Sequence, residues 1–166
     1  MFVKKIFIIS VLIVFSFNAL AVTPRSTGKY KNWESFVVET DKGKICFAQT
    51  VPTKRAPGAI KRDKSKLFVT FRPSEQIKDE VSITSGHEYK TSSVTASSGK
   101  RRYSFFSQKD FAWLLDDQEE KKFIQLMKKA TDIIVKARTA KGAETTDHYS
   151  MMGFTKAYNT AKKTCS

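Results

Sequence analysis

The sequence has 166 residues and a formal net charge of +14 at pH 7, because 30 lysine and arginine residues outnumber 16 aspartate and glutamate residues. This length fits one ordinary domain, and its 13 phenylalanines and two tryptophans supply a core, which excludes a disordered basic chain. No two of the seven glycines lie two residues apart, which excludes the dinucleotide-binding fingerprint and the nucleophile elbow of hydrolases.

The N-terminal segment has the three parts of a secretory signal peptide. Lys4 and Lys5 precede an apolar run at 6–17, and Ala19-Leu20-Ala21 places small residues where a signal peptidase cleaves. An uncleaved membrane anchor is the alternative, but the run is shorter than the roughly 20 apolar residues that cross a bilayer. We therefore predict a signal peptide at 1–21. Its removal lowers the net charge to +12, since it holds two lysines and no acids.

The remainder predicts a flexible leader at 22–32, which is polar and rich in turn residues, and a single domain at 33–166. Short segments of alternating apolar and polar residues, separated by turns, are typical of an all-β domain. They predict strands at 36–40, 44–49, 67–71, 80–84, 94–97, 100–107, 111–115, 131–138 and 143–150. The segment 52–66 is basic and contains two prolines, which predicts a long exposed loop. The expected fold is mainly β, a β-sandwich of the immunoglobulin-like class.

Two helices are expected among these strands, one after the Trp113 strand and one at the C-terminus. Apolar residues at helical spacing predict the first at 117–130, capped by Asp116 or Asp117. The second is predicted at about 151–163 and begins after Ser150. Trp113 lies in an apolar strand and is expected in the core, whereas Trp33 suits either the core or a ligand-stacking role.

The chain has two cysteines, Cys46 and Cys165. In an exported domain they are expected to form a disulfide, with two buried free thiols as the alternative. Cys165 continues the apolar stripe of the last helix, so we expect that helix to lie over a sheet edge or an outer sheet face, fixed there by the bond.

Residues able to support catalysis are sparse. His87 and His148 are the only histidines, and neither has the short-spaced partners of a zinc site. Asp147 and His148 are neighbours in a strand, so their side chains are expected to point to opposite faces and to be poorly placed for a catalytic triad. The carboxylates at Asp116, Asp117, Glu119 and Glu120 are expected to favour the start of a helix. We therefore expect a non-enzymatic protein with no metal and no cofactor.

Two clusters of basic residues are the candidate anion-binding residues. They are Lys54, Arg55, Lys61, Arg62, Lys64 and Lys66 in the first cluster, and Lys100, Arg101 and Arg102 in the second. If the clusters converge, they form one positive surface for anionic lipid, lipopolysaccharide or an acidic glycan. A solvated basic surface without a ligand is the alternative, and nucleic acid is not expected for an exported protein.

Several segments of the sequence together resemble a known family. They are LFVTFRP (67–73), DEVS (79–82), SFFSQKDFAWLLDDQEEKKFIQLMKK (104–129) and TAKGAETTDHYSMMGFTKAYNTAKKTC (139–165). These segments are similar to the invasion-associated locus B family of exported alphaproteobacterial proteins, and the similarity extends over most of the chain after the signal peptide. The resemblance implies a periplasmic or surface-associated β-sandwich domain. It implies no catalytic residues.

Together, these features predict an exported binding or envelope-associated protein, located in the periplasm or at the cell surface. A secreted hydrolase with an unrecognised site is the runner-up. A host-cell adhesion or invasion factor is a further alternative. A protein in the envelope or on a host surface is a further candidate partner.

Overall fold

A computed structural model of the protein describes residues 23–166. Within them the chain forms eleven β-strands and two α-helices, and about half of these described residues lie in strands. The strands are β1 (Arg25–Tyr30), β2 (Trp33–Thr40), β3 (Gly43–Thr50), β4 (Lys54–Ala56), β5 (Lys66–Arg72), β6 (Ile77–Thr84), β7 (Val94–Ser98), β8 (Arg101–Gln108), β9 (Phe111–Trp113), β10 (Asp132–Arg138) and β11 (Glu144–Ser150). The helices are α1 (Asp117–Lys129) and α2 (Phe154–Thr164). Each of the nine predicted strands overlaps an observed one.

All eleven strands belong to one antiparallel sheet, in the order β1-β2-β3-β5-β6-β9-β8-β7-β10-β11-β4. Strand β8 joins two layers, because Arg101–Phe105 pairs with β7 and Phe106–Gln108 pairs with β9. We call β1, β2, β3, β5, β6, β9 and residues 106–108 of β8 the first layer, and β7, β10, β11, β4 and residues 101–105 of β8 the second layer. The mainly β, sandwich-like fold is confirmed. The two layers are parts of one continuous open sheet rather than two separate sheets.

The core lies between the layers, on the inner face of the sheet. Alternation within each strand places residues such as Val37 and Val69 of the first layer and Val135 of the second layer inside. Trp33 is fully buried: its indole Nε1 donates to the carbonyl oxygen of Ser150 at 2.9 Å, and its ring packs against Phe154. Of the two roles left open for Trp33, the structure therefore assigns the core.

Helix α1 begins where the sequence predicts. The carboxylate of Asp116 accepts hydrogen bonds from the backbone N–H groups of Gln118 and Glu119, both at 2.9 Å, which confirms Asp116 as the cap. Phe123 packs on its buried side against Tyr103 and Phe105 of β8.

Helix α2 begins later than predicted, at Phe154, because Gly153 precedes it with φ of +97°. A Cβ atom at this glycine would lie 1.8 Å from the carbonyl oxygen of Tyr30. The chain therefore needs glycine both for this backbone conformation and for its close approach to the end of β1.

The disulfide between Cys46 and Cys165 is confirmed, and no free cysteine lies among residues 23–166. Of the two positions expected for the last helix, the outer face is wrong, whereas the helix does lie at the β1 edge of the sheet. Helix α2 packs on the inner face of β1, β2 and β3, because Cys46 points into the core while its neighbours Ile45 and Phe47 point outwards.

Two segments expected to be irregular form strands. In the predicted leader, β1 pairs with β2, the hydroxyl of Thr27 donates to that of Ser35 at 2.8 Å, and the hydroxyls of Tyr30 and Thr160 lie 2.9 Å apart. In the predicted loop at 52–66, β4 pairs with β11. The predicted signal peptide lies outside the described residues. Neither helix found between residues 23 and 166 has the length and apolar character needed to cross a membrane.

Candidate functional site

The outer face of the sheet carries the two surfaces of interest. Both α-helices pack on its inner side, so every second side chain along each strand points outwards without a helix above it. The second layer presents basic and polar residues on this face, and the first layer presents aromatic residues.

Arg62 does not belong to an exposed surface. Its side chain is 2% exposed and forms a bidentate ion pair with Asp147, whose side chain is 1% exposed; the contact between Nη1 and Oδ2 measures 2.7 Å. The same guanidinium donates to the carbonyl oxygen of Ser85 at 3.0 Å and to the hydroxyl of Ser65 at 3.2 Å. Arg62 is therefore a structural residue, and we correct its assignment as an anion-binding residue.

Arg55 is also engaged inside the protein. It is partly exposed, donates to the backbone carbonyl oxygens of Asp63 and Arg62, and has its Nε atom 4.0 Å from the carboxylate of Asp147. Its charge is therefore directed towards the buried ion pair, so the assignment of Arg55 as an anion-binding residue is also corrected.

The two predicted basic clusters share a face but do not converge. A row of five cross-strand neighbours runs over β8, β7, β10, β11 and β4 with a basic residue at each end. Four strand spacings of about 4.8 Å separate the ends by roughly 19 Å. The row consists of Arg102, Ser97, Ile134, His148 and Lys54.

Lys136 lies in the adjoining row, between Thr95 and Thr146. We call the surface formed by Lys54, Arg102, Lys136 and His148 the basic face. Among residues 23–166, neither of its lysines forms an ion pair with a carboxylate, and nor does Arg102. Two other charged groups lie on the same side of β10 as Lys136. One is Asp132, and the other is Arg138, which is paired with Glu144 at 2.7 Å.

The other predicted basic residues lie outside this row. Lys61 and Lys64 are exposed on the connection from β4 to β5, and Lys66 at the start of β5 has its Nζ atom 5.8 Å from the centre of the Phe68 ring. Lys100 and Arg101 are exposed at the turn between β7 and β8.

The first layer presents a continuous group of aromatic side chains on its outer face, which we call the aromatic platform. Its members are Phe36, Phe47, Phe68, Phe106, Phe111 and Trp113. Phe36 stacks on Phe47 with ring centres 5.2 Å apart, and Phe111 stacks on Trp113 at 5.9 Å. Phe68 connects the two pairs. The expectation that Trp113 belongs to the core is wrong: the residue between it and Phe111, Ala112, is the one that is buried.

A shallow groove of about 360 Å³ runs over the platform. Its floor includes Phe47, Phe68 and Trp113, and Ile45 lies at its side. Its polar border includes Arg72, which is paired with Glu80 at 2.7 Å and with Glu75 at 3.2 Å. This surface was not predicted from the sequence, although the residues F-A-W at 111–113 and F-V-T-F at 68–71 place apolar residues on both sides of their strands.

The histidines do not form a catalytic group with the nearby acid. Asp147 points inwards to Arg62, while His148 points outwards within the basic face, as their positions in one strand predict. The ring of His87 lies 3.0 Å from the hydroxyl of Thr145 and 2.9 Å from the carbonyl oxygen of Glu88. Among residues 23–166, no three His, Cys, Asp or Glu side chains are arranged to hold a metal ion.

An acidic cleft of about 810 Å³ separates the start of α1 from β6. Glu120 lies in it with 8% of its surface exposed, and its carboxylate accepts a hydrogen bond from the backbone N–H of Val81 at 3.0 Å. Burial is the main cause that raises the pKa of Glu120, and the neighbouring carboxylates of Glu80, Asp117 and Asp79 act in the same direction. Together they bring the pKa to about 7, despite the lowering effect of that hydrogen bond. The carboxylate therefore changes charge near neutral pH.

The raised pKa of Glu120 predicts a specific pH dependence of stability. Because the ionised form is disfavoured only in the folded state, Glu120 does not destabilise the fold while it is protonated, and its contribution lowers the stability as the pH rises from about 4.5 through about 7. Glu120→Gln keeps an oxygen that accepts from Val81 and removes the charge. We expect it to raise the free energy of unfolding at pH 8 by up to about 3 kcal/mol and to have little effect at pH 4.5.

Urea unfolding at a series of pH values measures this difference. Glu119→Gln is the matched control, since Glu119 is the preceding residue and is more exposed. Parallel stability curves for the wild type and Glu120→Gln between pH 4.5 and 8 would contradict the assignment.

Comparisons of the chain with family models, curated proteins and solved structures gave no match. The resemblance to the invasion-associated locus B family therefore stays a prediction.

Proposed function

We propose that the protein is an exported, non-enzymatic binding protein of the cell envelope that contacts polyanionic surfaces through the basic face. The observation that carries this proposal is the outward row from Arg102 to Lys54, with Lys136 beside it. The side chains of Arg102, Lys54 and Lys136 have no carboxylate partners among the described residues. They are therefore available to phosphate or carboxylate groups of a ligand.

The proposal of export rests on the N-terminal segment 1–21 together with the disulfide. A disulfide in a protein of this size is typical of an oxidising compartment, such as the periplasm or the cell exterior. The resemblance to the invasion-associated locus B family supports the same locations.

The chemistry of the basic face favours a polyanion over a single small anion. Arg102 and Lys54 are roughly 19 Å apart, so one small anion cannot contact both, whereas repeated phosphate or carboxylate groups can. Anionic lipid, lipopolysaccharide and acidic glycan all present such repeats. A host-cell surface rich in acidic glycan would bind the basic face in the same way. The adhesion alternative therefore differs from this proposal only in the partner.

Charge reversal tests the basic face. The triple variant Lys54→Glu, Arg102→Glu, Lys136→Glu is expected to weaken binding roughly a hundredfold, since each basic residue near an anionic surface contributes about 1 kcal/mol. Its melting temperature should change little, because exposed charges contribute little to stability. Binding is measured by co-sedimentation with vesicles containing anionic phospholipid, with lipopolysaccharide aggregates, and by retention on an acidic polysaccharide, each at low and at high salt.

The control variant Lys42→Glu, Lys122→Glu, Lys156→Glu has the same net charge, and its three positions are exposed on other parts of the surface. We expect it to bind nearly as well as the wild type. An equal loss of binding by both triple variants would show that total charge alone attracts the polyanion, and it would overturn the proposal. The arm that binds most tightly identifies the ligand class.

A further inference from the structure

The aromatic platform needs an explanation that the basic face does not provide. Six aromatic side chains occupy the outer face of the first layer, and Phe106 is 51% exposed. The other five side chains are partly buried. A contiguous apolar patch of this kind on the surface is characteristic of an interaction site. The groove of about 360 Å³ along the platform is within the size range of small-ligand sites.

The arrangement of the rings limits what the platform can bind. Phe36 is stacked on Phe47 at an interplanar angle of 18°, and Phe111 on Trp113 at 22°. Each of these rings therefore has one face covered by its neighbour, which reduces the flat area available for stacking a sugar ring. A flexible apolar chain needs no free ring face and packs equally well against the ring edges.

The two ends of the platform along β5 differ in charge. At one end, Arg72 is neutralised by Glu75 and Glu80. At the other end, Lys66 lies over the Phe68 ring, two residues after the exposed Lys64. Neither lysine forms an ion pair with a carboxylate of the described residues.

The stretch of β5 that crosses the platform is long enough for one acyl chain. Lys66 and Arg72 are six positions apart along β5, which corresponds to about 20 Å. One acyl chain spans about half of the roughly 30 Å hydrocarbon core of a bilayer. The strip therefore holds one chain with space for a headgroup at the lysine end. A second copy of this protein is a poor occupant, because each copy has a net charge of +12 after removal of segment 1–21.

We propose that the aromatic platform binds one amphiphile with a single apolar chain and an anionic headgroup, the chain lying in the groove over Phe47 and Phe68 and the headgroup contacting Lys66. This site is separate from the basic face and does not depend on it. The protein would thus hold a lipid-like molecule on one layer of the sandwich while the other layer contacts a polyanionic surface.

Tryptophan fluorescence tests the proposal, since Trp113 is part of the platform whereas Trp33 is fully buried. The probe is dodecyl phosphate, used below the concentration at which it forms micelles. We expect a saturable shift of the emission to shorter wavelength. Dodecyl maltoside, which has the same chain and a neutral headgroup, should bind at least tenfold more weakly. Inorganic phosphate and maltohexaose should produce no shift.

Variants separate the two parts of the site. Phe47→Ser with Phe68→Ser should weaken dodecyl phosphate binding at least tenfold. Lys66→Gln should weaken dodecyl phosphate binding severalfold without changing the affinity for dodecyl maltoside. Because Lys66 lies on the outer face, this variant still tests the proposal if the double phenylalanine variant does not fold. Ile134→Ser, an outward apolar residue of the second layer, is the matched control and should bind as the wild type does.

Four results would overturn the proposal: no shift with dodecyl phosphate, equal affinity for the maltoside, saturable binding of maltohexaose, or a dimer in sedimentation that the phenylalanine variants abolish. The triple variant of the basic face should retain full dodecyl phosphate binding. Failure of the platform and failure of the basic face are therefore distinguishable.

Discussion

Replacement of both disulfide cysteines, Cys46→Ala with Cys165→Ala, is expected to lower the free energy of unfolding by about 4 to 5 kcal/mol. The bond joins residues 119 positions apart and therefore restricts most of the unfolded chain; the chain-entropy model gives this magnitude for a loop of that length. The bond also holds the end of α2 against the inner face of β3, where Cys46 is fully buried. Urea unfolding under non-reducing conditions measures the change.

A reductant provides the control for this prediction. It should lower the stability of the wild-type protein to about that of the double variant and leave the double variant unchanged. Thiol labelling of the native protein by an alkylating reagent without reductant, or equal unfolding midpoints for the two proteins, would contradict the disulfide.

The strands could be predicted wherever one side of a strand is apolar and the other is polar. Val81 and Ile83 in β6, for example, alternate with Ser82 and Thr84, and turn residues mark the ends of such segments. Strands β1 and β4 were missed because their sequences, RSTGKY and KRA, contain no apolar alternation. They are the two edge strands of the sheet and form by pairing with β2 and β11, which the local sequence does not indicate.

The candidate site was only partly predictable, because burial of a charged side chain depends on partners far along the chain. Lys54 and Arg62 look alike in the sequence, yet Lys54 is exposed on an edge strand and Arg62 is buried against Asp147, 85 residues away. Lys136 was overlooked because it is a single lysine between Val135 and Ala137, although this alternation places it on the outer face.

The aromatic platform was missed for a related reason. Trp113 follows an alanine in an apolar strand, and a sequence rich in apolar residues on both sides of a strand favours a fully buried position. The structure leaves one of those sides exposed, because both helices pack on the other side. The whole fold determines which face of a sheet the helices cover. The local sequence therefore does not distinguish an outward aromatic residue from a core residue.

Loss of the buried ion pair is the second large effect that we expect. Arg62→Met would leave the carboxylate of Asp147 buried with Arg55 as its nearest cation, at 4.0 Å, and would remove the donors to Ser85 and Ser65. Removing one partner of a buried pair costs about 3 to 5 kcal/mol, because the other charge stays out of water without compensation. We expect a decrease of that size in the free energy of unfolding at pH 7, measured by urea denaturation.

Two further variants test whether the loss arises from the unpaired charge. Arg62→Met combined with Asp147→Leu removes both charges and should recover much of the lost stability, since apolar replacement of a buried pair is often nearly neutral. Arg138→Met breaks an exposed ion pair with Glu144 and should cost less than about 1 kcal/mol. If Arg62→Met costs no more than Arg138→Met, the pair does not stabilise the fold and Arg62 is not a structural residue. If instead the double variant is as unstable as Arg62→Met alone, lost packing and hydrogen bonds, rather than the unpaired carboxylate, determine the effect.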